Sequence, residues 1–226
     1  MVLYIYSPRW FYGIDSIFEI VSVIVGLLIA YYGYKTYRYT SQRRYLHFAA
    51  SFFLVAAAFF TNILSNLILY TNSLEKKIIG ITTANVYVVK QITWISTIGS
   101  FISVFLMLLA FLILFVTIYK INDKKINFLL FYLIIVATLY SKHSYIFFHG
   151  TLGVLTALIF VYYYKNYSAK QTKNRGLVAS SFFVMALSQL LFIISAFSEV
   201  MFVVAQSTQL LGYLVLLSTI ILVLKK

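Results

Sequence analysis

Asp15, Glu19, Ser22 and Gly26 follow one another at intervals of four, three and four residues, inside a stretch made mostly of Ile, Val, Leu and Phe. That spacing places all four on one face of a helix. Two carboxylates on such a face are the kind of group that holds a proton or a solute inside a membrane. Ionisable side chains there are costly and default to functional candidates. At an offset of 130 residues, Asp15 falls on Tyr145 and Glu19 on His149, setting an imidazole in one half of the chain against a carboxylate in the other. Gln91 and Gln206 form a further pair, in the similar segments VVKQIT and VVAQST at an offset of 115. Asp15, Glu19, Gln91, Tyr145, His149 and Gln206 are therefore the expected ligand or proton pocket. With ~1.5 Å of rise per residue, Glu19 and Gln206 each lie about 10 Å below one end of their helices. If Glu19 faces His149, the two titrate as a coupled pair. The plainer alternative is a set of near-surface polar groups satisfied by water and by neighbouring helices.

Other chemistries lack their residues. The chain has no cysteine, so disulfides, thiolate metal sites and cysteine nucleophiles are excluded. It has neither an HExxH run nor the paired acids of an intramembrane aspartyl enzyme, and no nucleophile signature accompanies His149. His47 and His149 belong to opposite membrane faces, which argues against a haem held between them. Residues 200–224 contain no lysine for a retinal Schiff base. No enzyme activity, metal or cofactor is expected.

The elements that must position the six residues are membrane spans. Of 226 residues, 62% are hydrophobic and 10% charged, against roughly 25% charged in an average soluble domain. Residues 48–74, 91–119, 176–198 and 200–224 are free of charge, and each run exceeds the ~18 residues that mark a spanning helix. Further spans are expected from about Ile14 to Tyr34 and from about Ser144 to Tyr164, and a shorter one over 126–141. The fold class is thus all-α integral membrane, with seven helices. The opening segment MVLYIYSPRW has one cation and no small-residue cleavage site, so the first helix is expected to act as its own signal anchor.

Net charge is +13, and its distribution sets the topology. Assigning the loops alternately to two sides puts thirteen cations on one, from Lys35, Arg38, Arg43 and Arg44 through to Lys225 and Lys226, and five on the other. The positive-inside rule then places the N-terminus outside and the C-terminus in the cytoplasm of a multi-pass plasma-membrane protein. The basic loops suit anionic lipid headgroups rather than nucleic acid. Tyr31, Tyr32, Tyr34, Tyr37 and Tyr39 form an aromatic belt where the first helix leaves the bilayer.

The stretch recurs. At offset 130, Tyr32, Tyr34, Lys35 and Tyr37 match Tyr162, Tyr164, Lys165 and Tyr167, and Ala49, Ser51, Phe52, Phe53 and Ala56 match Ala179, Ser181, Phe182, Phe183 and Ala186. The expected layout is 3+1+3: a three-helix repeat over 1–119, a linker helix over 120–143 and a second repeat over 144–226, parallel and related by an axis along the membrane normal. Tyr37–Arg38, Thr40, Arg43–Arg44 and Ser51–Phe52–Phe53, with Gln91 and Gly99 and later Gln206–Ser207 and Gly212, resemble an archaeal three-helix membrane-protein unit of unknown function. The second copy departs from that pattern at Ser168–Ala169. The resemblance implies an archaeal source and no particular chemistry. Expected functions are the binding, sensing or transport of a small polar solute or protons. The alternative is a structural or accessory subunit of a larger membrane complex.

Overall fold

The structure is a computed structural model that describes residues 11, 13–75, 84–141 and 145–224, with backbone alone at 68–75, 84–96, 199 and 224. Among the described residues there are seven helices and no strand: α1 (Ile14–Thr40), α2 (Arg43–Glu75), α3 (Ala84–Tyr119), α4 (Lys124–Ser141), α5 (Tyr145–Ala169), α6 (Lys173–Ile194) and α7 (Glu199–Leu224). Each is long and apolar enough to cross a membrane. The chain is a polytopic membrane protein.

Helix ends follow local chemistry. The Asp15 carboxylate accepts the Gly13 amide at 3.0 Å and the Ser16 amide at 2.8 Å, neutralising donors that a first turn leaves unpaired. At the other end of α1, Ser41 turns left-handed with φ 54° and its N–H returns to the Tyr37 carbonyl. The Asp123 carboxylate takes the Lys125 amide at 2.8 Å and so starts α4.

The helices alternate in direction. α1 packs along α2 and α7, α5 packs along α6 and α3, and α4 leans on α3 and α5. The core between them includes Ile29, Phe52, Leu108, Ile159, Phe182, Met185 and Tyr213. Small residues let the helices approach closely: Gly26 lies against Ala56 and Phe52, and Gly33 against Phe48 and Ala49. Lys35, Arg38, Arg43, Arg44, Lys120, Lys124, Lys125, Lys165, Lys170, Lys173 and Arg175 all fall at one end of the bundle, here termed the basic end, where α1, α3 and α5 stop and α2, α4 and α6 start.

Burial follows the 130-residue offset. Ser51 and Phe52 are buried, as are Ser181 and Phe182, whereas Phe53 and Phe183 are both exposed. The α2–α3 hairpin is the longest element. Its helices have 33 and 36 residues against 22 and 26 in α6 and α7. At ~1.5 Å per residue, α2 and α3 reach about 50 Å, well beyond the ~30 Å hydrocarbon core.

Candidate functional site

Glu19 sits two turns into α1 and is 6% exposed. Its carboxylate faces α2, where Asn62 Nδ2 donates to Oε1 at 2.5 Å and Asn66 Nδ2 donates to Oε1 at 3.5 Å and Oε2 at 3.4 Å. Asn62 and Asn66 are one turn apart, so one face of α2 presents both amides to a single acid. Among the described residues no cation acts on Glu19, and the other charge beside it is the Asp15 carboxylate. The face expected from the sequence does point inward: Asp15, Glu19, Ser22 and Gly26 are all buried.

Gln206 reaches this turn from α7. Its Nε2 donates to the Asp15 backbone carbonyl at 3.1 Å, and its Oε1 is buried without a hydrogen-bond partner. The carbonyl fixes the amide orientation, because a flipped amide would set two acceptors against each other. Asp15 and Gln206 thus bridge α1 and α7, while Glu19 bridges α1 and α2.

His149 and Tyr145 belong to the other half. The buried His149 ring pairs through Nδ1 with Gln189 Oε1 at 2.8 Å, and Gln189 Nε2 donates to Ser188 Oγ at 3.2 Å. The ring stacks on Phe192 at 4.4 Å, and the Tyr145 ring lies 4.1 Å away. Phe192 follows His149 by 43 residues, as Asn62 follows Glu19. At the same separation one hairpin sets an acid on amides and the other an imidazole on aromatics.

The expected meeting of Glu19 with His149 gives way to partners within each half. The reason is packing: α1 lies on α2 and α7, whereas α5 lies on α6, α3 and α4. Of the six expected residues, the structure brings Asp15, Glu19 and Gln206 together and holds Tyr145 and His149 as a separate group. The side chain of Gln91 lies outside the described residues.

Gly99 of α3 lies against Ser65, and Ser103 Oγ donates to the Ala58 carbonyl at 2.8 Å. In α7, Gly212 lies against Ser181 and Met185. Their 130-residue counterparts Ser51 and Val55 instead lie beside Ala110 in one shallow apolar patch. Through these 130-residue counterparts Gly212 is matched to Ala110, 102 residues earlier, and Gln206 to Val104. Gln91 lies 13 residues before Val104, or about 20 Å at ~1.5 Å each.

Sequence reasoning missed Asn62, Asn66 and Gln189. A weak signal existed for the first two: two carboxamides one turn apart in an otherwise apolar run. Among the described residues no group of three or more His, Asp or Glu gathers as a metal centre would need. No known protein family, curated protein or solved structure matches the chain.

Proposed function

We propose that this multi-pass membrane protein binds a small polar solute or protons in the cluster of Asp15, Glu19 and Gln206, as a carrier or a receptor-like sensor and not as an enzyme. The observation that carries the reading is Glu19: an acid buried within a span and held by carboxamides, with no cation against it among the described residues. Such a group is costly in a bilayer and gains little for folding that apolar packing would not also supply.

The positive-inside rule supports a cytoplasmic basic end, which puts the Glu19 cluster in the outer half of a plasma-membrane protein. Eleven described cations at that end favour contact with anionic headgroups. Two features support the 3+1+3 parallel repeat. Burial matches at offset 130, and the packing is reciprocal: α1 lies on α7 as α5 lies on α3.

Reconstitution into liposomes tests the function. Proton or solute uptake through the wild type is expected to fall at least about tenfold in Glu19→Gln, which keeps shape and one carbonyl acceptor while removing the charge. Binding without uptake selects the sensor form. Neither binding nor uptake overturns the reading.

A second reading, an accessory subunit of a larger membrane complex, draws on α4. Ile134 and Thr138 are its buried residues, while Phe128, 73% exposed, projects outward with Leu129, Tyr132 and Tyr140. Co-purification of a stoichiometric partner after mild detergent extraction favours that reading.

A further inference from the structure

We propose that the solute held in this cluster carries an ammonium group, bound between the Glu19 carboxylate and Gln206 Oε1. The inference rests on the pocket reading above and narrows it to one class of ligand.

What the cluster lacks is donors, not acceptors. Asn62 and Asn66 both turn Nδ2 toward Glu19, so their amides already serve the acid from the α2 side. A carboxylate has about four lone-pair sites across its two oxygens. Gln206 Oε1 is a second acceptor, on a residue 8% exposed, and it is unpartnered although buried. A buried carbonyl oxygen without a donor is uncommon and calls for a partner. Its own Nε2 is tied to the Asp15 carbonyl, four residues before Glu19, which places the Gln206 side chain at the same turn of α1.

Charge and donor count select the class. Among the described residues, an anion would meet two carboxylates and no cation acting on Glu19. A metal ion asks for more oxygens than remain, since hard cations take six or more ligands and the two asparagines present nitrogen toward the acid. An ammonium head has three donors and one positive charge, and two or three acceptors satisfy it. A fully alkylated ammonium has no N–H and does not fit.

The probe is methylammonium chloride, added to the full chain in detergent while thermal unfolding is followed. Wild type is expected to show a saturable rise in Tm, on the order of 5 °C at one hundred times Kd. Sodium, potassium and tetramethylammonium chlorides at equal ionic strength should give no such rise. Gln206→Met, similar in volume without the oxygen, should weaken methylammonium at least about tenfold. An unweakened response in Gln206→Met overturns the assignment. If that variant fails to fold, wild-type selectivity decides, and an equal response to sodium or tetramethylammonium overturns it. Absence of any methylammonium response, with Glu19-dependent uptake of another solute intact, removes the ammonium assignment and leaves the pocket. Absence of both removes the pocket as well.

Discussion

Gly212→Leu is expected to unseat α7 from α6 and to destabilise the protein by about 3 kcal/mol or more. A Cβ at this position would stand 2.7 Å from Met185 Cγ, 3.2 Å from the Met185 backbone nitrogen and 3.2 Å from the Ser181 carbonyl oxygen. The methionine side chain can move; the two backbone atoms cannot without parting the helices. Gly212→Ala should show the same effect at roughly 1–2 kcal/mol, because only the Cβ must be accommodated. Unfolding in graded detergent–denaturant mixtures measures both variants. A leucine variant as stable as wild type would show that the helices are not this close.

The second large effect separates folding from binding at Glu19. Glu19→Leu removes the acceptor of Asn62 and Asn66 while leaving their amides in the α1–α2 seam. Stranding them should cost about 1–2 kcal/mol, the usual scale for polar contacts between helices in membranes. The triple variant Glu19→Leu/Asn62→Leu/Asn66→Leu should recover that stability or exceed wild type, since buried polar groups replaced together by apolar ones are often neutral or stabilising. Methylammonium binding should be lost in both variants. A triple variant that remains unstable would mean the polar seam is structural, and retained binding would place the site elsewhere.

What was legible in the sequence was whatever depends on one helix at a time. Four charge-free runs longer than a bilayer is thick marked spans, and shorter apolar stretches marked α1, α4 and α5, because water-to-lipid transfer is a property of the segment itself. The inward face of Asp15, Glu19, Ser22 and Gly26 was legible from period alone. Partners across helices were not. Asn62 and Asn66 are unremarkable in composition, and only the seating of Gly26 and Gly33 on α2 brings their turn to Glu19. The pairing of Glu19 with His149 presumed that α1 and α5 meet, but each packs on the third helix of the other half. The side chain of Gln91, matched to Gln206 at an offset of 115, lies outside the described residues.

The central claim is that the Glu19 turn is open to small cations from the outer face, and one labelling measurement meets it directly. The chain has no cysteine, so Asn66→Cys places a single thiol where Asn66 Nδ2 now lies 3.4 Å from Glu19 Oε2. Sealed right-side-out vesicles are treated with an ammonium-bearing methanethiosulfonate and, separately, with its sulfonate analogue. Arg43→Cys at the basic end serves as the reference for the other side. Asn66→Cys should react in sealed vesicles, about tenfold faster with the cationic reagent, because nearby carboxylates concentrate cations. Arg43→Cys should react only after permeabilisation. An Asn66→Cys thiol that stays unreactive to both reagents, or an Arg43→Cys thiol that is labelled in sealed vesicles, would contradict the claim.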